Sequence, residues 1–296
     1  MRILVVLMAW GLSIVPAQAD EGDKMYAMTN FGVTFNPLGV RIAGFVGHQW
    51  ELYESDHPAF ETNFLSLQAL AYVSPANASP GVRVLLQPAS FINVGVMYRY
   101  RMDFPAFSNG AFYGEGQQDA VEERFAKAPG FYEGEELVYD LVDETAARIG
   151  GQPFYAMHLV TGYSTLQFQY ANVFAVVLGE VTKVWADLPE AGAAYSYESV
   201  FDFFIHKDDW VVEVTGIIGY EWKPLQFLLI SSNTFSITSG MRALNVGPGL
   251  RWTITDEWAG FKKPTLLTVC RWHVDHLWRT NSPAIPNVAM VIETEF

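Results

Sequence analysis

The apolar residues of this chain arrive one strand-length at a time and at every second position, and that rhythm limits the folds open to it. From Ile92 to Met102, Ile92, Val94, Val96, Tyr98, Tyr100 and Met102 share one face, while Asn93, Gly95, Met97, Arg99 and Arg101 share the other. From Trp210 to Trp222, Trp210, Val212, Val214, Gly216, Ile218, Tyr220 and Trp222 oppose Glu213, Thr215, Gly219 and Glu221. From Leu266 to Trp278, Leu266, Thr268, Cys270, Trp272, Val274, His276 and Trp278 oppose Arg271, His273 and Asp275. Period-two stretches with one apolar face make half-buried strands. Past the N-terminal stretch, no segment holds the roughly 18 uninterrupted apolar residues of a membrane helix. The fold class is therefore all-β.

Composition removes other classes. Half the residues are hydrophobic and only 17% are charged, which excludes a disordered chain. Cys270 is the single cysteine, so no disulfide framework exists within the chain. Acidic residues outnumber basic ones by 32 to 18, giving a net charge of −14. No cationic surplus is left to displace phosphate counterions, which argues against a nucleic-acid partner.

Residues 1–19 carry the secretory pattern. Arg2 gives a positive start, Ile3 to Val15 an apolar stretch, and Pro16-Ala17-Gln18-Ala19 an A-x-A cleavage site. The expectation is a cleaved signal peptide, 1–19, followed by one domain, 20–296.

Two features separate a membrane barrel from a soluble sandwich. Aromatic residues sit at the ends of apolar faces, as in Tyr98 and Tyr100, Tyr195 and Tyr197, Trp210 and Trp222, and Trp272 and Trp278. Interfacial girdles place them there. The opposite faces mix charges with Gly and Thr, as a wet lumen would. At the C-terminus, Val288, Met290, Ile292, Thr294 and Phe296 alternate with Asn287, Ala289, Glu293 and Glu295. This segment resembles the closing strand of bacterial outer-membrane β-barrel proteins. The resemblance implies a bacterial outer-membrane location, outer-membrane lipids as surroundings, and a barrel-assembly machinery that reads the Phe296 strand.

Candidate strands cover 29–36, 40–53, 63–74, 82–88, 91–103, 153–164, 166–186, 194–206, 209–222, 225–232, 241–255, 264–278 and 286–296. Bacterial single-chain barrels take even numbers, so these thirteen contain an error. Merging 29–36 with 40–53, or dropping it, leaves twelve; dividing 166–186 near Asn172 gives fourteen. The expected fold is a transmembrane antiparallel β-barrel of about 12 strands, within 10–14. The rhythm breaks at an insertion, 103–152. Asp103 to Gly150 holds eleven acidic residues against Arg124, Lys127 and Arg148, and 119–128 and 135–149 read as helices. Strand parity decides which side of the membrane this insertion occupies, and whether it is a loop or a plug stays open.

The expected lumen lining is Arg99, Arg101, Glu213, Glu221, Arg271, His273 and Asp275. Arg271, His273 and Asp275 share one face at two-residue spacing, so Asp275 could orient His273 as a base. A ladder of paired charges explains them more simply. Outer-membrane phospholipases place a Ser two residues after a His, and no His here has one. Asp208-Asp209 beside His206 matches the omptin proteases loosely and falls in a turn. His276 should face away from His273, which argues against a metal site, and no cofactor motif is present. The reading is a non-enzymatic channel or structural barrel, with small solutes or divalent cations as possible ligands. The alternatives are a barrel enzyme acting on envelope lipids, or a surface binding module that uses the acidic insertion.

Overall fold

The computed structural model describes residues 24–35, 39–104, 112–127, 131–149, 154–189, 192–198, 203–255, 257–258, 261–276 and 287–295. The expected signal peptide and Phe296 lie outside the described residues.

Twelve strands form one closed antiparallel barrel. In chain order they are β1 (Lys24–Phe35), β2 (Gly39–Glu51), β3 (Phe64–Val73), β4 (Asn77–Ala89) and β5 (Ile92–Asp103). Three short strands of a separate sheet are β6 (Phe112–Gly114), β9 (Ala193–Glu198) and β10 (Phe203–His206). The barrel continues through β7 (Tyr155–Tyr170), β8 (Val173–Asp187), β11 (Asp208–Trp222), β12 (Leu225–Ser236) and β13 (Arg242–Thr253). After a two-residue extension, β14 (Glu257–Trp258), it ends with β15 (Phe261–Asp275) and β16 (Asn287–Glu295). Each barrel strand pairs with its neighbour in the chain, and β16 returns to pair with β1. Closure leaves no unpaired edge.

Period-two alternation gives this ring two chemically different surfaces. Along β3, Phe64, Ser66, Gln68, Leu70 and Tyr72 are buried while Leu65, Leu67, Ala69, Ala71 and Val73 are exposed. The same holds on β5, β8 and β11, where Val96, Val177, Val214 and Ile218 stand outward. The large exposed side chains are therefore apolar, and the hidden ones include Gln68, Arg83, Thr161, Glu180, Glu213 and Arg271. A water-soluble protein has the reverse pattern.

The strand list needs two corrections. The long 166–186 segment does divide, at a two-residue turn of Ala171-Asn172, but its first part extends β7. The surplus member is 194–206, not 29–36. Ala193 to Tyr197 and Phe203 to Ile205 are buried on both faces, whereas a barrel strand would expose alternate side chains. They join β6 in the small sheet.

That sheet packs with α1 (Gln118–Ala126) and α2 (Phe131–Ile149) as a cap over one mouth of the barrel. One apolar cluster unites Phe112 and Tyr113, Phe125, Val138 and Leu141, Tyr195 and Tyr197, and Phe203 to Ile205. It continues into Met157, Leu159, Val184, Val211 and Ala243 of the barrel wall. Thr145 accepts from the Phe112 amide at 3.3 Å and donates to Leu141 O at 2.7 Å, tying α2 to β6. Gln118 reaches Ser239 O at 3.0 Å, tying α1 to the β12–β13 connection. Arg124 links Asp140 at 3.2 Å and Glu144 at 3.3 Å, both exposed pairs of small energetic weight. The cap sits at the rim opposite the one where β1 begins and β16 ends.

Candidate functional site

The charged interior of the barrel is the candidate site, and the strands set its geometry. Arg99 and Arg101 both face inward on β5. Arg101 is buried and donates twice to one oxygen of Asp103, from Nε at 3.0 Å and from Nη2 at 2.6 Å. Glu213 and Glu180 are direct cross-strand neighbours, two buried carboxylates side by side on β11 and β8. Such a pair needs compensation. Thr215 and Ser232 hydroxyls donate to Glu213 at 3.2 and 3.3 Å, and Arg271 acts on it electrostatically. Arg83 and Arg99 act on Glu180 from across β7. Glu221 lies at the far end of β11, away from this group.

Asp275 is placed elsewhere. Asn245 pairs with His273 but Leu244 pairs with Asp275, so β15 carries an extra residue at this point. Such a bulge moves every later side chain to the other face. Val274 and Asp275 both stand exposed, and Asp275 meets Arg242 at 3.5 Å on the outside. His276 turns inward instead, its ring 5.0 Å from that of His273, with both buried. The base-and-orienter pairing of His273 and Asp275 therefore does not form. Among the described residues, no three His, Cys, Asp or Glu side chains are placed to hold a metal ion.

Sequence reading missed several inward groups. Arg83 on β4 is buried, bonds the Gln68 side chain and lies 5.1 Å from the Phe45 ring centre. Its parity was visible, because Val82, Val84 and Leu86 all face out. Arg41 was legible in the same way between Val40 and Ile42. Glu180 carried no such signal, since Val176 and Leu178 share its inward face. Asp209 lies at the turn beside His206 and is fully buried under the cap. It accepts from the amides of Trp210 at 2.7 Å, Thr238 at 3.0 Å and His206 at 3.0 Å, and from Ser236 Oγ at 2.5 Å.

The interior is filled unevenly. Inward side chains from Tyr155 to Thr165, Phe174 to Val184, Val211 to Ile217 and Gln226 to Ser236 are all buried. On the opposite wall, Tyr26, Arg41, Phe45, Leu85 and Arg99 also point inward yet keep partial solvent exposure. Water thus reaches parts of this wall, on β1, β2, β4 and β5, whereas the inward side chains of β3 are buried. Aromatic rings help to fill the other: a Cβ on Gly219 would lie 2.1 Å from the Phe174 ring, and one on Gly95 2.4 Å from that of Tyr163.

No protein-family model matches the chain, and no curated protein matches it. Among solved structures it is similar to a KdgM porin at 5% identity and TM-score 0.39, covering 92% of this chain and 98% of that one. It is similar to a NanC porin at 8% identity and TM-score 0.40, covering 91% and 98%. It is also similar to the β domain of the Bordetella autotransporter BrkA at 8% identity and TM-score 0.42, covering 93% and 99%.

Proposed function

We propose that this chain is an integral β-barrel of the Gram-negative outer membrane, acting without covalent chemistry as a narrow, capped passage for small solutes. The apolar outer face of the whole ring carries this reading. Met25, Val46, Leu67, Val82, Val96, Phe168, Val177, Ile218, Leu229, Leu250 and Ile292 stand outward on eleven different strands. Water would penalise that surface by about 25 cal/mol for each Å², whereas lipid tails cover it without cost. Aromatic residues flank it: Trp185 and Trp210 near the cap, Tyr170, Trp222 and Trp252 near the other rim. Lys183 lies over both Trp185 and Trp210, at 5.6 and 5.3 Å, and reaches Asp208, as a snorkelling cation does at a membrane edge.

Connection lengths orient the barrel. Outer-membrane barrels keep short turns on the periplasmic side and longer loops outside. The rim away from the cap has two-residue turns at 90–91, 171–172 and 223–224 beside a longer crossing at 52–63, while the capped rim has the longest crossings, 104–154 and 188–207, beside short turns at 74–76 and 237–241. The cap then faces the exterior. On the same reading, β16 is the strand that the assembly machinery recognises, and residues 1–19 direct export.

The partly solvent-exposed inward side chains of β1, β2, β4 and β5 support passage over a purely structural role. Single-channel recording in planar bilayers tests this. Discrete small conductance steps that change with Arg99→Gln are expected; a chain that inserts and never conducts would leave only the structural barrel.

A further inference from the structure

We propose that Arg83 and Glu180 hold between them a zwitterionic solute of the α-amino-acid class, its carboxylate on Arg83 and its ammonium group on Glu180. The site rests on the membrane-passage reading and names a solute class for it.

One row of cross-strand partners builds the site. Leu85, Gly95, Tyr163, Glu180 and Glu213 follow one another across β4, β5, β7, β8 and β11, all on the lumen face. Arg83 is the neighbouring inward residue on β4. Gly95 lets the far ends of this row approach. A Cβ there would lie 2.4 Å from the Tyr163 hydroxyl oxygen and 2.6 Å from the Val84 carbonyl oxygen. The Tyr163 ring therefore lies across the bare backbone of β5 and carries its hydroxyl towards β4, where Val84 adjoins Arg83.

Three buried polar groups then border one space, and none of them answers another. Arg83 is 3% exposed, and its described hydrogen bond, from Nε to the Gln68 side chain, leaves the outer fork of the guanidinium open. Tyr163 is 6% exposed, and its hydroxyl has no hydrogen-bond partner among the described residues. Glu180 is 9% exposed, and among the described residues neither a hydrogen bond nor an ion pair reaches its carboxylate. Arg83 nevertheless acts electrostatically on both Tyr163 and Glu180. Cation and anion thus feel each other across the lumen without touching.

Buried charges are costly when left without direct partners. A solute that carries both charges answers both ends at once. Its carboxylate suits the Arg83 fork and can accept from the Tyr163 hydroxyl, while its ammonium group can donate to Glu180 beside Glu213. A lone anion would meet Arg83 but face the two carboxylates, and a lone cation would face Arg83, so ions of one charge are disfavoured. A zwitterion adds no net charge, so the site requires no surplus of either sign. Arg99 also acts on Glu180 and Arg271 on Glu213, which tempers the acidic end without joining it to Arg83. Leu85 and Phe45, whose ring centre lies 5.1 Å from the Arg83 guanidinium, border the space with apolar surface that suits a hydrocarbon side chain.

The test is calorimetric titration of the refolded full-length chain in detergent with L-leucine and two analogues. Leucinamide lacks the carboxylate, and N-acetylleucine lacks the ammonium group. Leucine should bind about tenfold more tightly than either, the worth of one charged hydrogen bond. Arg83→Gln and Glu180→Gln should each weaken leucine by a similar factor. Arg83→Gln should not weaken leucinamide, and Glu180→Gln should not weaken N-acetylleucine. Arg83→Lys should recover part of the loss, and Ser164→Ala, on the outward face of β7, should change nothing. Heat-modifiable gel mobility verifies that each variant keeps its barrel, and the comparison of the three probes needs no variant. A folded barrel that binds no leucine, or binds either analogue equally well, overturns the site and leaves the membrane reading standing. A chain that never forms a heat-modifiable barrel overturns both.

Discussion

Replacing Phe204 by Ala should release the cap and leave the barrel standing. Its side chain has no solvent exposure and sits at the centre of the apolar cluster that seats the cap. Its ring lies 5.0 Å from that of Tyr113, 5.4 Å from Tyr197 and 5.5 Å from Phe125, so one residue joins β6, β9 and α1. A buried Phe→Ala change costs about 3–5 kcal/mol, which includes aromatic pairs worth about 0.5–1.5 kcal/mol each beyond their area. That shifts the docking equilibrium by roughly two to four orders of magnitude. The twelve-strand ladder uses none of these contacts. Limited trypsin digestion should therefore cut the variant quickly at Arg124 and Lys127 on the opened cap, while its barrel keeps heat-modifiable mobility. Conductance should rise as the mouth opens. Cleavage no faster than in the parent protein would refute the seating role of this cluster. Barrel and cap failing together would refute their independence.

Four further outcomes are expected. Asp209→Ala removes a buried acceptor of four hydrogen bonds; it should cost about 3–5 kcal/mol by leaving those donors unmatched, read as lowered melting temperature of the cap. Asp103→Asn strands the buried Arg101 and should cost a similar amount, while Asp103→Leu combined with Arg101→Met should restore most of it, measured by urea unfolding in lipid vesicles. Asp275→Ala breaks a half-exposed pair with Arg242 and should change stability by no more than about 1 kcal/mol. Burial pushes the Tyr113 phenol up, so the folded cap keeps a proton that the unfolded chain loses. Cap stability should then fall as pH rises above about 10, and Tyr113→Phe should remove that dependence in an alkaline melting series.

The barrel was legible because lipid and water impose opposite demands on alternate residues, and Val94, Val96 and Tyr98 against Asn93 and Arg99 display both demands. The same rule misread 194–206. Tyr195 and Tyr197 alternate like girdle residues, but their cover is the protein cap, and a period cannot tell which apolar medium lies opposite. Ala171-Asn172 was half visible: Asn172 signalled a break, yet the apolar run continues on both sides of a turn in which Ala171 takes φ +50°. The His273 cluster failed for a different reason. One extra residue in β15 exchanges Asp275 for His276 in the interior, and no sequence period records a bulge. Arg83 and Arg41 obeyed the parity rule all along, whereas Glu180 lay hidden among apolar neighbours that fill the lumen.

Whether lipid covers the outer face can be measured along β11. Single cysteines placed from Asp209 to Glu221 in a Cys270→Ala background, nitroxide-labelled in lipid vesicles, report collision with dissolved oxygen and with a water-soluble nickel chelate. Oxygen collision should peak at Val212, Val214, Gly216 and Ile218 and drop at Glu213, Thr215 and Ile217. Chelate collision highest at the outward positions, or no alternation at all, would contradict a lipid-covered barrel.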